Sequence, residues 1–265
     1  MTTQLLRPFT RAIRRHIGIW RAYEWRNRVT MSVGGFRWRR FEDREVERLT
    51  AQLGAVPRAA VACVVPTYRR PEGLRAAVAS VLAQDLQDLV VMVVDDGAGL
   101  GYVPDDPRVH VVSLSRNSGV LGLVRNVGIR LTSSDWVAFL DDDNQWEPDH
   151  LSLAVGALSA GADLVYTDVG RYLPDGSPLD VLSRDFDRRT MADEAYVDAN
   201  SIAVRRGSDV RFSTLPRTRA TLPKEDWEFV FRLSRRGRVV HVPRRTVRYL
   251  VNPASFYTTW DDAPT

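Results

Sequence analysis

Three consecutive aspartates, Asp141-Asp142-Asp143, close the apolar run Trp136–Leu140 and are followed by Asn144. Carboxylates crowded at the end of a strand repel one another, which costs stability unless a cation offsets the charge. Oxygen ligands select hard cations such as Mg²⁺ or Mn²⁺, usually held by one or two carboxylates together with substrate phosphates. A helix cap near Pro148 would account for one aspartate, not for the run. A calcium loop of the EF-hand type does not fit, because Trp146 stands where that loop needs glycine.

Other residues with chemical potential end other apolar runs. Val61–Val65 leads into Pro66-Thr67-Tyr68-Arg69-Arg70, and Leu89–Val94 leads into Asp95-Asp96-Gly97. Asp-Gly is also ordinary turn chemistry, and Tyr68 is as suited to shielding a sheet edge as to stacking on a base. Late in the chain, Glu225-Asp226 follows Pro223. There a pair of acids either complements a helix dipole or provides a base.

The elements that must position these groups follow from periodicity. Val61–Val65, Leu89–Val94, Val109–Val112, Trp136–Leu140 and Asp163–Thr167 read as strands, and Pro71–Ala83, Gly119–Leu131 and Pro148–Ser159 as helices. That alternation predicts βαβ units, a mostly parallel sheet and right-handed crossovers. Ligands of such sheets bind at the carboxyl ends of strands, so three strand ends converge on one crevice. Leu173-Pro174-Asp175-Gly176 has hairpin turn chemistry. Residues 177–199 read as a long surface loop or flap. A helix from about Lys224 to Arg235 and short strands near Val239–Val242 and Thr246–Val251 complete the domain.

Residues 1–58 have a different texture. Leu5, Phe9, Ile13, Ile17 and Trp20 form one apolar stripe among arginines, and a second helix is expected over Glu42–Leu53. This basic extension, ahead of a domain spanning 59–265, suits either a membrane surface or packing against the domain or a second subunit as a homodimer. The net charge is +4 with Lys224 the sole lysine. Arginine's planar fork suits phosphate, although a GC-rich genome gives the same bias. Cys63 is the single cysteine and lies in an apolar run, which excludes a disulfide framework. No apolar stretch is long enough to span a bilayer and no secretory leader is evident, so the expected location is cytoplasmic, at most peripheral at the inner membrane face. No nucleic-acid-binding motif is present, and no nucleic-acid partner is expected.

Taken together and in order, Val64–Arg70, Val94–Gly97, Asn117-Ser118-Gly119, Arg125-Asn126, Phe139–Asp143 and Glu225-Asp226-Trp227 resemble the motif blocks of family 2 glycosyltransferases of the GT-A fold, across residues 59–250. The resemblance implies an α/β fold with a Rossmann-like, mostly parallel central sheet flanked by helices. It also implies inverting transfer of a sugar from a nucleoside-diphosphate donor, by default a UDP-sugar, to an unknown acceptor hydroxyl. On that basis Pro66, Thr67, Tyr68 and Arg70 would line the nucleotide pocket, with Tyr68 against the base. Asp96 or Asp95 would accept from the base, and Arg125 would lie near the base or diphosphate. Asp141 and Asp142 would belong to the donor site, Asp142 facing ribose or sugar, and Asp143 would bind a divalent cation, Mn²⁺ or Mg²⁺. Asp226 would be the general base, with Glu225 orienting the acceptor. Relatives often place a histidine after the last core strand; here Asn252 stands in that region.

Such roles suit the reaction. Breaking the anomeric bond puts negative charge on the leaving diphosphate, where a cation stabilises the transition state. On the opposite face, the acceptor hydroxyl needs a carboxylate to take its proton. Two rival readings remain at this level: a phosphatase-like hydrolase using Asp141 as nucleophile and Asp143 as acid, and a non-catalytic α/β scaffold carrying a membrane- or partner-binding extension.

Overall fold

The computed structural model describes residues 35–100, 105–214 and 225–251, with Trp25 and Val29 as isolated helical positions. The expected helix over Leu5–Trp20 and the position of Asn252 lie outside the described residues. Strands are β1 (Val61–Thr67), β2 (Leu89–Asp95), β3 (Val109–Ser113), β4 (Trp136–Phe139), β5 (Asn144–Trp146), β6 (Leu164–Tyr172), β7 (Pro178–Leu182), β8 (Ile202–Arg205) and β9 (Val239–Leu250). Helices are α1 (Phe36–Leu53), α2 (Pro71–Leu82), α3 (Leu121–Leu131), α4 (His150–Ser159), α5 (Arg188–Asp193) and α6 (Glu225–Leu233).

Every residue of β1 and β2 is buried, as expected for strands covered on both faces. Alternation sorts their side chains between two layers. Val61, Cys63, Val65, Val91 and Val93 pack with Leu74 and Val78 of α2 and Leu151 and Leu158 of α4. Met92 and Val94 face the other way, with Leu123 and Val127 of α3 and Phe41 and Leu49 of α1. Val64 joins Phe139, Phe212 and the aromatic face of α6. Pro71 begins α2, where a missing N–H costs nothing.

One sheet runs β3-β2-β1-β4-β8-β6-β9-β5, with β7 added beside β6. Pairings β3–β2, β2–β1, β1–β4 and β6–β9 are parallel. Strand β8 joins β4 and β6 antiparallel. The parallel core and its flanking helices match the expected α/β class.

Differences lie in the second half. Residues 177–199, expected as a loop, contain β7 and α5. Strand β7 is an exposed edge whose pairing with β6 follows from the Leu173–Gly176 turn rather than from apolar periodicity. The two short strands expected after residue 238 are one strand, β9, whose register against β6 shifts around Asp168. The three-residue β5 and four-residue β8 were too short to show a period.

Candidate active site

The ends of β1, β2 and β4, the start of α3 and the first turn of α6 surround a crevice of about 760 Å³. Its wall includes Pro66, Thr67, Tyr68, Arg70, Asp96, Arg125, Asp141, Asp142, Asp143, Glu225 and Asp226. The structure thus gathers all the expected site residues except Asp95. The Asp95 carboxylate turns into its own loop, where Oδ2 accepts the N–H of Ala98 (2.9 Å) and Gly99 (2.8 Å).

Asp142 locks the end of β1 to the end of β4. Its Oδ2 accepts the Thr67 hydroxyl at 2.7 Å and the Tyr68 N–H at 3.3 Å, and its Oδ1 accepts Arg70 Nη1 at 3.1 Å. Helix α2 presses on the same point: a Cβ on Gly73 would stand 2.3 Å from the Asp142 carbonyl oxygen. Burial raises the Asp142 carboxyl above the ordinary carboxylate range, against the Thr67 and Arg70 contacts. Arg70 Nη1 also reaches Asp143 Oδ2 at 2.5 Å. Burial and the neighbouring Asp141 charge push Asp143 up to about 6 despite Arg70.

Asp96 is held by the loop before α3, its two oxygens accepting the N–H of Ser118 (2.8 Å) and Gly119 (3.0 Å). Burial raises its carboxyl, and these amide bonds oppose the rise. Gly97 takes φ +75°, and a Cβ there would lie 2.2 Å from the Arg116 backbone. The glycine therefore lets the β2 loop meet the β3–α3 loop. Tyr68 stands half-exposed at the mouth, with the Arg69 guanidinium 5.0 Å from its ring centroid.

Arg125 joins the two walls. Only 2% exposed, it donates from Nη2 to Asp141 Oδ1 (2.5 Å) and from Nη1 to Glu225 Oε1 (3.2 Å). Burial works against its charge, but Asp141 and Glu225 hold the guanidinium above its ordinary value. Asp226 faces the crevice half-buried, its Oδ1 accepting the Trp227 N–H at 2.7 Å.

Several contributors were not visible in the sequence. Asn200 pairs with Asp141 both ways: its Oδ1 accepts the Asp141 N–H (2.6 Å) and its Nδ2 donates to Asp141 Oδ2 (3.3 Å). Asp198 lines the crevice, raised by burial and by the Asp141 charge. Tyr249 of β9 lies there too, its phenol raised by burial and by Asp198, Asp143, Asp141 and Asp226. Asp198 caps the short turn before β8 and therefore looks like turn chemistry in sequence. His150 and His241 lie away from the crevice, bonded to Thr246 and to Asp168 and Asp185 respectively.

Among the described residues, no group of three or more His, Cys, Asp or Glu side chains is arranged to hold a metal ion by protein ligands alone. The acidic run fits a different donor set. Asp143 is one-third exposed and its ionised form is disfavoured by burial and by Asp141. The Asp143 oxygens accept from Arg70 and Asn144 (3.0 Å), and a cation held there would exchange these contacts for one carboxylate bond and be completed by diphosphate oxygens. The phosphatase-like arrangement fits less well, because Arg125 and Asn200 occupy the Asp141 oxygens. Among the described residues, no helix is long and apolar enough to cross a membrane.

Comparison with known proteins bears on the family and the fold. The family model "Glycosyl transferase family 2" matches residues 62–203. Succinoglycan biosynthesis protein ExoW of Rhizobium meliloti is 38% identical over 105 residues, covering 36% of this chain and 33% of that protein. The putative teichuronic acid biosynthesis glycosyltransferase TuaG of Bacillus subtilis is 30% identical over 128 residues, covering 45% of this chain and 50% of that protein. The chain thus spans a third to a half of the length of these two curated relatives. S. aureus TarS 1–349 in complex with UDP-GlcNAc superposes with a TM-score of 0.57 at 17% identity, covering 77% of this chain and 61% of that one. This likeness is one of fold, and the fold is GT-A. The matched residues carry β1, β2, β4 and the acidic run, and the chain belongs to glycosyl transferase family 2.

Proposed function

We propose that the chain transfers a sugar from a nucleoside-diphosphate sugar to an acceptor hydroxyl in a single displacement with inversion. One observation carries this reading: Arg125 ties the acidic run at the end of β4 to the acids opening α6 across one crevice. Donor-side and acceptor-side groups thereby face a common space.

In this reading Asp96 and Tyr68 receive the base, and Thr67, Arg70 and Asp142 shape the nucleotide side. Asp143 would hold a Mn²⁺ or Mg²⁺ ion, which when bound neutralises charge developing on the diphosphate. The acceptor oxygen forms the new bond to the anomeric carbon. The bond from that carbon to the diphosphate oxygen breaks, its electron pair leaving with the diphosphate. The acceptor proton passes to the Asp226 carboxylate, while Glu225, fixed by Arg125, orients the acceptor. Attack opposite the leaving group inverts the anomeric centre. The UDP-GlcNAc and UDP complexes of TarS support a uridine diphosphate carrier. The relatives ExoW and TuaG, named for succinoglycan and teichuronic acid biosynthesis, support a growing carbohydrate as acceptor.

Two measurements test the reading. A nucleotide-sugar panel should raise the melting temperature more with Mn²⁺ than without. Asp226→Asn keeps shape and most hydrogen bonds but removes the proton acceptor, so turnover should fall about 100- to 10,000-fold with donor affinity nearly unchanged. As a mere helix-end acid, Asp226→Asn would cost only about 0.5–1 kcal/mol of stability and leave turnover intact. That second outcome would return Asp226 to structure.

A further inference from the structure

Helix α1 lies outside the residues matched by the family model, yet it carries a fully buried carboxylate. Glu42 Oε1 accepts Arg130 Nη1 at 3.0 Å and Arg211 Nη1 at 2.8 Å. Its Oε2 accepts Arg211 Nη2 at 2.7 Å and Asn126 Nδ2 at 3.3 Å. Asn126 in turn grips the backbone of Phe212, its Oδ1 accepting the N–H at 2.7 Å and its Nδ2 donating to the carbonyl at 3.1 Å. The Phe212 ring stacks on Phe229 of α6, with centroids 4.2 Å apart and planes 8° apart. It also lies 5.0 Å from the Arg125 guanidinium. The fit is close, since a Cβ on Gly122 would lie 2.1 Å from the Ser213 carbonyl oxygen.

We propose that Glu42 is a positioning residue for the acceptor side of the active site, fixing Phe212 through Arg211 and Asn126 and thereby the placement of α6 and Arg125. The inference rests on the reading of Asp226 as the base, because α6 opens on Glu225 and Asp226. A buried ion network is weak evidence for stability, since apolar replacements of both partners are often neutral; its better-attested use is to fix one arrangement. Two donor-side carboxylates are anchored separately. Asp142 and Asp96 are held by Thr67, Tyr68, Arg70, Ser118 and Gly119. None of those residues is among the three partners of Glu42, namely Arg130, Arg211 and Asn126.

The test compares wild type with Glu42→Leu/Arg211→Met, which removes both charges and leaves Arg130 its contact with Asp43 at 2.6 Å. Melting temperature, UDP affinity, turnover of the nucleotide sugar that gives the largest thermal shift, and amide exchange are measured on both proteins. Near-wild-type melting and UDP affinity within about twofold are expected, with turnover down about ten- to hundredfold, the scale of a small misplacement. Amide exchange in 211–214 and 225–233 should accelerate. Turnover that follows the melting temperature, with exchange unchanged, overturns the proposal. If the wild type turns over no nucleotide sugar, the catalytic reading fails, and the exchange result alone decides whether Glu42 holds Phe212 and α6. Should the double variant fail to fold, Arg211→Lys carries the same comparison, since lysine keeps the charge and loses the fork.

Discussion

Replacing Arg125 by methionine removes the cation between the two walls of the crevice while keeping an unbranched chain of similar length. Arg125 is 2% exposed, Glu225 9% and Asp141 25%. Each ion pair is worth about 4 kcal/mol at an effective dielectric constant near 20 and a charge separation near 4 Å. Much of that is offset by desolvation of the guanidinium, and loss of one partner from such a buried group costs about 3–5 kcal/mol. Asp141 is partly exposed and keeps the Asn200 amide, which places the expected loss near the lower figure, about 3 kcal/mol. For a domain of this size that corresponds to a melting temperature about 6–12 °C lower.

The assay is urea unfolding followed by circular dichroism, with an unchanged slope required so that the midpoint alone reports stability. A second variant, Arg125→Met/Asp141→Asn, removes one of the two facing charges. It should recover about 1 kcal/mol or more, a coupling expected only of side chains in direct contact. If Arg125→Met lies within about 1 kcal/mol of wild type, the size of an ordinary substitution, Arg125 is not the link between the walls.

Asp143→Asn should abolish nucleotide-dependent Mn²⁺ binding, read by calorimetry. Because the folded carboxyl is raised to about 6, its ionised form weakens the fold; the variant should gain stability at pH 7.5, and the gain should vanish as pH falls towards 4. Burial lowers His150 to about 3 from 6.5, so the unfolded chain binds the proton first and stability falls as pH drops below about 6.5. At pH 5 the loss is about 2 kcal/mol, and His150→Gln should abolish that part of the slope in urea midpoints. Gly122→Ala would drive a Cβ to 2.1 Å from the Ser213 carbonyl and should cost about 2 kcal/mol or more, with turnover reduced beyond the loss of folded protein.

How far the site was legible depends on what positions each residue. Thr67, Asp96 and Asp141–Asp143 were found because parallel strands place their carboxyl ends on one edge, a rule needing only the strand assignment. Asn200, Asp198 and Tyr249 come from the turn before β8 and from β9. Their place is set by antiparallel additions and a register shift around Asp168. No local period records that register, because β8 and β5 are four and three residues long. Asp95 and Asp96 show the limit differently. Adjacent in the chain, they must point to opposite faces, but only the loop contacts with Ala98, Gly99, Ser118 and Gly119 decide which one meets the crevice.

The arginine bias has two readings at the sequence level, composition and chemistry, and the structure separates them residue by residue. Arg58 pairs with Asp135 on the surface, both more than half exposed, where the pair contributes little and lysine would serve. Arg125 reaches two carboxylates from two nitrogens of one plane, and Arg211 holds both oxygens of Glu42 with its fork. A lysine at either position supplies one charge at one point and cannot hold both contacts in fixed geometry. Arg125→Lys should therefore retain more stability than Arg125→Met, while both variants lose turnover, because charge alone does not set the spacing between the acidic run and α6.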